Sequence, residues 1–212
     1  MKLKIKRLNN MNQYPPEHHR EDSFKKIVQT IKAFPFATVV SVNSDESFIT
    51  HVPLMYYPDS DEHGKLVGHM DRNNPHCSYL NNREIKAVFH GPNSYISPND
   101  YLTPQLPTWN HITVHITGKC KVIESTNEVK RSIMRMTEFL ETGDNPFILS
   151  GDNTRMNQII NFIVGFEIEI TAWEGKFKLS QDKNEKDRLA AKLKLISNYS
   201  KDYGLFIDDI LN

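Results

Sequence analysis

Apolar residues follow two periodicities along this chain. Apolar side chains three or four positions apart, the spacing of an amphipathic helix, run onward from Ser23 and recur from Val129 to Leu140. Elsewhere apolar residues alternate with polar ones or form short runs, which is typical of strands; these stretches are FPFATVVSV (34–42), SFITHVPLM (47–55), residues 65–70, IKAVFHG (85–91), HITVHITGKCKVI (111–123) and NFIVGFEIEITAW (161–173). The pattern predicts about six antiparallel strands interspersed with helices, which indicates a β-barrel or sandwich with helical decoration.

In the last of these strands, the alternation places Phe162, Val164, Phe166, Ile168 and Ile170 on one face. The strand before it also alternates from His111 onward, and its polar face carries His111, Thr113, His115 and Thr117.

Glycine and proline interrupt the pattern between residues 91 and 109. This stretch contains one glycine and four prolines, so a long irregular loop is predicted there. Its aromatic residues, Tyr95, Tyr101 and Trp109, indicate that the loop is ordered.

The remaining pattern predicts three further helices and a division of the chain into three parts. Short helices are predicted to start near Pro75 and to cover about 155–160, and a charged helix is predicted from about Asn184. We expect a flexible N-terminal arm over 1–13, one domain over 14–182, and a C-terminal helix and tail over 183–212.

Composition narrows the class of protein. The chain has 212 residues, 38% of them hydrophobic, with zero formal net charge and a pI of about 7.1, so no overall field attracts DNA or anionic lipid and direct DNA binding is doubtful. No apolar run is long enough for a membrane span, and the short basic start lacks the apolar core of a signal peptide. Cys77 and Cys120 have no CxxC spacing. A cytoplasmic protein is expected.

The stretch GHMDRNNP (68–75) is the first candidate for chemistry. Asn74 followed by Pro75 is a helix-start signal, and free backbone N–H groups beside the Arg72 guanidinium would form an anion site. An ordinary capped turn with a solvated arginine explains the same residues.

Other chemistries find less support. The nine histidines include no HExxH motif and no Cys/His quartet, so no metal site is expected. The chain also lacks a GxSxG elbow, a GxGxxG loop and a GxxxxGK[ST] loop. In GKFKLSQDK (175–183), Lys178, Ser180 and Gln181 offer a cation, a hydroxyl and an amide for a ligand, although composition alone favours a solvated strand exit.

Several stretches together resemble one family, the PaiB-like FMN-binding proteins of bacteria, which are called negative transcriptional regulators. The matching segments occur in one order over about residues 14–189; they are YPPEHHRED, PFATVVS, THVPL, GHMDRNNP, FHGPNSYISP, PTWNHITVHITGK and IVGFEIEITAWEGKFKLSQDKNEKDR. The resemblance implies a mainly β fold with flanking helices, a six-stranded antiparallel split β-barrel similar to that of pyridoxamine-phosphate oxidases, and a homodimer with FMN at the subunit interface.

The same resemblance implies roles for individual residues. Arg72 and the turn from His69 to Asn74 would hold the FMN phosphate, and Thr50 and His51 would approach the ring or the ribityl chain. Lys178, Ser180 and Gln181 would close the site, from the same or the partner subunit. The further candidates, for packing against the ring or the substrate, are Tyr95, Ser97, Trp109 and Asn110, although Trp109 is equally well explained as a core residue. His115 is the one candidate for proton transfer, with a structural role as the alternative.

The sequence departs from the family pattern at several positions. Acidic residues stand at Asp71, Asp100 and Asp182, and a carboxylate beside a phosphate pocket repels an anion. Cys77 replaces a tryptophan, and His19 replaces a phenylalanine.

Three functions remain open at this stage. The first is a flavin-dependent redox or sensor protein acting on a small molecule, with negative regulation of transcription as an indirect effect. The second is a DNA-associated regulator without catalysis, and the third is a haem-binding protein of the same fold.

Overall fold

The computed structural model describes residues 14–43, 46–58 and 63–199, together with the single residues Ile207 and Ile210. The predicted arm over 1–13 and most of the predicted tail lie outside the described residues. The described chain divides into two compact units. The first holds residues 22–89 and 114–174, and the second holds residues 14–21, 90–113 and those from 175 onward.

Helices and antiparallel strands make up both units. The helices are α1 (Phe24–Ala33), α2 (Thr126–Leu140), α3 (Thr154–Ile159) and α4 (Glu185–Tyr199), and short 3-10 turns cover Glu17–His19, Pro75–Tyr79, Pro98–Asp100 and Ile160–Phe162. The strands are β1 (Arg20–Glu21), β2 (Phe36–Asn43), β3 (Glu46–Pro53), β4 (Met55–Tyr57), β5 (Lys65–Asp71), β6 (Glu84–Ile96), β7 (Thr108–Ile123) and β8 (Ile163–Lys178). The prediction of a mainly antiparallel β fold with flanking helices is confirmed.

The sheet has the strand order β3-β2-β6-β7-β8-β5-β4, and β1 pairs with β8. The described residues thus form eight strands instead of the predicted six. One additional strand arises because SFITHVPLM is divided: β3 ends at Pro53, which has no N–H, and the Leu54 N–H donates to the Pro35 carbonyl at 2.8 Å. The other is β1, a two-residue strand that pairs with Lys176 and Gly175.

Alternating strand positions fill the core of the first unit, as the sequence pattern predicts. Val39 of β2, Phe89 of β6 and Phe166 of β8 are fully buried, and Ile27 and Ile31 of α1 join them. Apolar strand faces that are buried in this way drive folding of the sheet.

Close packing explains why the residue at the centre of β5, Gly68, is a glycine. A Cβ built there would lie 2.5 Å from a Leu54 methyl and 3.1 Å from the Phe166 ring, so a larger residue would force the core to shift. The glycine in the motif GHMDRNNP is therefore explained by packing.

The structure corrects two details of the predicted pattern. Strand β6 continues past Gly91 to Ile96, with Ser94 and Ile96 buried and Tyr95 exposed, so the irregular segment is shorter than predicted. Pro92 stays within the strand because its fixed φ lies in the extended region. Phe162 lies in a 3-10 turn before β8 and is 61% exposed, so it does not share the buried face of that strand.

A small core and a buried carboxylate organise the second unit. Ile96, Tyr101, Ala191 and Leu195 form an apolar cluster. The carboxylate of Asp187, on α4, is fully buried and accepts hydrogen bonds from five groups, namely the backbone N–H groups of Leu102 and Thr103 and the side chains of Thr103, Gln105 and Asn184. Hydrogen bonding, chiefly from Thr103, lowers the pKa of Asp187 to about 2. This carboxylate therefore anchors the 101–105 loop to the helix.

No helix among the described residues is long and apolar enough to cross a membrane.

Candidate functional site

The turn after β5 has the predicted cap but no free amides. Asn74 Oδ1 accepts the His76 N–H at 3.0 Å, which confirms the cap, and the helix is a five-residue 3-10 turn. The Asn73 N–H donates to Asp71 Oδ1 at 2.7 Å, the Asn74 N–H to the Asp71 carbonyl at 3.0 Å, and the Cys77 N–H to the Asn74 carbonyl at 3.0 Å. The expectation of free amides at this corner is therefore wrong, because the turn uses them internally.

Arg72 ties this turn to the start of β8. Its Nε donates to the Asn161 carbonyl at 2.7 Å, its Nη2 donates to the Ile163 carbonyl at 3.2 Å, and its backbone N–H donates to the Phe162 carbonyl at 2.8 Å. A guanidinium has five N–H donors, so about three have no partner among the described residues and are available to a ligand. The side chain is exposed, and a cation with unused donors beside solvent fits an anion.

A cavity of about 560 Å³ lies at the end of β5, and its lining includes Asp71, the residue before Arg72. Its lining residues are His69, Met70, Asp71, Arg155, Gln158, Ile159, Phe162 and Ile163. Nδ1 of His69 is the only buried side-chain nitrogen or oxygen in the described part of the chain that has no hydrogen-bond partner. Burial lowers the pKa of His69, which favours the neutral ring. An unpaired buried polar atom is uncommon, and a ligand or an ordered water would satisfy it.

His76 links two of the residues predicted from sequence. Its Nε2 lies 2.8 Å from Ser41 Oγ, and its Nδ1 lies 2.9 Å from Thr50 Oγ1. Asn74 Nδ2 donates to the same Thr50 hydroxyl at 3.0 Å. The ring is 1% exposed and packs near Phe48, and burial lowers its pKa. Thr50 and Asn74 are thus brought together.

Sequence reasoning missed His76 because its partners lie 35 and 26 positions away along the chain. The signal that pointed to it was weak: Ser41 is a polar residue at a buried position of an otherwise apolar strand.

His51 lies on the outer face of the β2–β3 hairpin. It is exposed and stacks on Phe36, with ring centroids 6.2 Å apart and an interplanar angle of 27°. Ile49, on the same side of β3, is also exposed.

In the second unit, two predicted site residues are buried and bonded to each other. Ser180 Oγ lies 3.0 Å from Asn110 Nδ2 and 3.0 Å from the Tyr101 hydroxyl. Asn110 is 1% exposed and Ser180 is 3% exposed. Ser180 also has a φ of +61°, which is uncommon for a residue other than glycine, asparagine or aspartate, so the turn holds it under strain.

The other candidates in this unit have partners within the chain. Trp109, which is 54% exposed, donates from Nε1 to Asn93 Oδ1 at 3.2 Å and has its ring 6.4 Å from that of Tyr95. Lys178 bonds to Thr108.

The two remaining candidates of this unit support backbone. Ser97 caps the Pro98–Asp100 turn, and Gln181 bonds to the backbone of Phe177 and Leu179. Trp109 is more than half exposed, so the alternative that its whole ring belongs to the core is excluded.

The candidate for proton transfer pairs with a carboxylate. His115 Nδ1 lies 3.3 Å from Glu174 Oε1 in the first unit, and both side chains are exposed. This pair gives His115 no specific link to a cavity, and its catalytic role stays a prediction. The described residues contain no group of three His, Cys, Asp or Glu side chains that could hold a metal ion.

The acidic departures from the family pattern all have local partners. Asp71 accepts the Asn73 N–H, Asp100 accepts the Ser97 N–H at 2.8 Å, and Asp182 pairs with Lys183 at 2.7 Å. The hydrogen bond from Lys183 lowers the pKa of Asp182. Each carboxylate therefore bonds to a group that lies one to three positions away along the chain.

The eight-stranded antiparallel sheet with flanking helices is the fold of the flavin-binding split barrels, and the comparisons agree. Residues 13–172 match the family described as "Putative FMN-binding domain". The match covers well over half of the chain, so this protein belongs to that family.

Two relatives are similar to this chain in sequence over most of its length. The "Protease synthase and sporulation protein PAI 2" of Bacillus subtilis (strain 168) is 27% identical over 176 residues, which is 82% of this chain and 84% of that protein. An uncharacterized protein of Emericella nidulans is 24% identical over 66% of this chain and 71% of its own length.

Solved structures share the fold at low identity. The FAD and haem binding protein from Mycobacterium smegmatis has a TM-score of 0.57 at 14% identity, with 82% of this chain and 80% of that chain covered. The flavocytochrome Anf3 from Azotobacter vinelandii has a TM-score of 0.57 at 12% identity, with 81% and 74% covered.

Proposed function

We propose that this protein binds FMN in the cavity at the end of β5 and acts as a flavin-dependent redox or sensor protein. The observation that carries the proposal is a cavity that contains Arg155 and is lined by His69, whose buried Nδ1 has no hydrogen-bond partner among the described residues. Arg155 of the cavity supplies positive charge for the phosphate, as does Arg72, which follows the lining residue Asp71. Phe162 and Ile159 supply apolar surface for the flat ring.

The residues present fit a flavin. His69 offers a hydrogen bond to a polar group of the ligand, and its lowered pKa keeps the ring neutral, so it meets the ligand without adding charge. When bound, the flavin would supply the electron transfer, while the chain supplies binding and orientation. His115 is retained as the candidate for proton transfer.

A role in negative regulation fits this proposal as an indirect effect. The name of the Bacillus subtilis relative refers to protease synthesis and sporulation. With zero net charge this chain has no general attraction to DNA, so we favour sensing or conversion of a small molecule over direct DNA binding. We also propose a cytoplasmic location, which suits the two free thiols of Cys77 and Cys120.

We propose a homodimer whose interface includes the outer face of the β2–β3 hairpin. Phe36, Val42 and Ile49 are 64%, 61% and 60% exposed, and Ile49 pairs across the hairpin with Val40. Clustered apolar side chains of this kind mark association surfaces. Ile49→Lys should convert a dimer to a monomer in sedimentation, whereas Leu193→Lys, at an equally exposed site on α4, should not. A monomeric wild-type protein would contradict the proposal.

The absorbance spectrum of the purified protein tests the cofactor. We expect flavin bands, and a titration of the apoprotein with FMN should quench flavin fluorescence. A Soret band without flavin would favour haem, because one structural neighbour is described as an FAD and haem binding protein and another as a flavocytochrome. A protein that binds no flavin but shifts DNA at moderate salt would favour the regulator without catalysis.

A further inference from the structure

The hydrogen bonds around His76 have a definite direction. Asn74 Oδ1 must accept, because its partner is the backbone N–H of His76 at 3.0 Å. The other end of this amide, Nδ2, therefore donates to Thr50 Oγ1 at 3.0 Å. One of the two lone pairs of the Thr50 hydroxyl is thereby occupied.

Burial of Ser41 determines where the imidazole carries its proton. Ser41 is 2% exposed, and among the described residues its hydroxyl has only His76 Nε2 as a hydrogen-bond partner, at 2.8 Å. A buried hydroxyl proton without an acceptor is costly, so Ser41 donates to Nε2. The neutral ring then carries its proton on Nδ1 and donates it to Thr50 Oγ1 at 2.9 Å.

Thr50 then has both lone pairs filled, by Asn74 and by His76. Its own hydroxyl proton has no acceptor within the described chain, and the residue is half-buried, so this proton is available to a ligand. Asn74 also keeps a second amide proton, since one of the two on Nδ2 reaches Thr50. Two side-chain donors, held side by side, suit an oxyanion.

We infer that His76 is a positioning residue that fixes Thr50 and Asn74 as paired donors to the phosphate of the flavin nucleotide. The inference rests on the proposed function. The ring's hydrogen-bond partners in the described chain, Ser41 of β2 and Thr50 of β3, and the nearby Phe48 ring of β3 are all uncharged. Burial lowers the pKa of His76, in keeping with a neutral ring.

Two substitutions separate the two ring nitrogens. In His76→Asn the new amide starts where Nδ1 stands and can donate to Thr50, whereas in His76→Gln it reaches the Nε2 position near Ser41 only. We expect His76→Asn to keep FMN affinity within about threefold of wild type and His76→Gln to lose about tenfold, the effect of one charge-assisted hydrogen bond. Riboflavin, which lacks the phosphate, should bind the wild type and both variants with similar affinity.

The outcomes decide between this inference and its alternatives. A loss in His76→Gln that is equal for FMN and riboflavin would show that the ring only supports the fold, and would overturn the inference while leaving flavin binding intact. Failure of the wild type to bind either flavin would instead overturn the proposed function. Should both variants unfold, ¹⁵N spectra of the wild-type histidines still decide: we expect the Nδ1–H tautomer for His76, and the Nε2–H tautomer would overturn the inference.

Discussion

Replacement of Arg72 by alanine tests the phosphate end of the proposed flavin site. The guanidinium spends Nε and one Nη2 proton on the carbonyls of Asn161 and Ile163, so about three N–H donors remain for a ligand. A hydrogen bond between charged groups contributes about 1.5–3 kcal/mol. Because the side chain is exposed, we take the lower end of that range, which corresponds to roughly tenfold in affinity.

Fluorescence titration with two flavins is the assay. Arg72→Ala should weaken FMN binding by about tenfold and leave riboflavin binding almost unchanged, because only FMN carries the phosphate. It should also weaken FMN binding more than Trp109→Ala does. Arg72→Lys is the matched control: it keeps the charge and should recover part of the loss.

Two results would refute this reasoning in different ways. Equal FMN affinities of wild type and Arg72→Ala would exclude the phosphate role. An equal loss for FMN and riboflavin would show that Arg72 acts by holding the turn to Asn161 and Ile163, a structural role that thermal unfolding would register as a lower Tm.

Three further predictions concern stability and reactivity. Gly118→Ala should destabilise the fold by about 1–3 kcal/mol in urea unfolding, because its Cβ would lie 2.3 Å from the Glu169 carbonyl oxygen, whereas Gly151→Ala, whose Cβ would have no contact closer than 3.7 Å, should be nearly neutral. The pKa of Asp187 is lowered from 3.8 to about 2, so its stabilising effect is present above pH 4 and is lost as the pH falls through about 2; the Tm difference between wild type and Asp187→Asn should therefore shrink over that range, and a constant difference would contradict it. Burial raises the pKa of the Cys120 thiol to about 12, so iodoacetamide at pH 8 should leave Cys120 unmodified in the native protein, and its rapid modification would contradict the burial.

Local sequence patterns determined most of the secondary structure. Alternating residues in β2, β7 and β8 and helical spacing in α1 and α2 predicted those elements, because periodicity follows directly from backbone geometry. Pattern failed at Gly91 and Pro92, where turn-forming residues occur inside a continuous strand. The helix-start signal singled out Arg72 and Asn74, and sequence resemblance, in turn, supplied the flavin family and further candidate positions such as Thr50 and Tyr95.

Only the tertiary structure decided what those candidate residues can do. Asn110 and Ser180 are buried against each other, and the guanidinium of Arg72 bonds to carbonyls 89 and 91 positions away. The His76 ring joins a strand residue, Ser41, to a turn that lies far along the chain. Such contacts depend on strand order and register, which are set by packing of the whole chain, and local residue spacing carries no record of them.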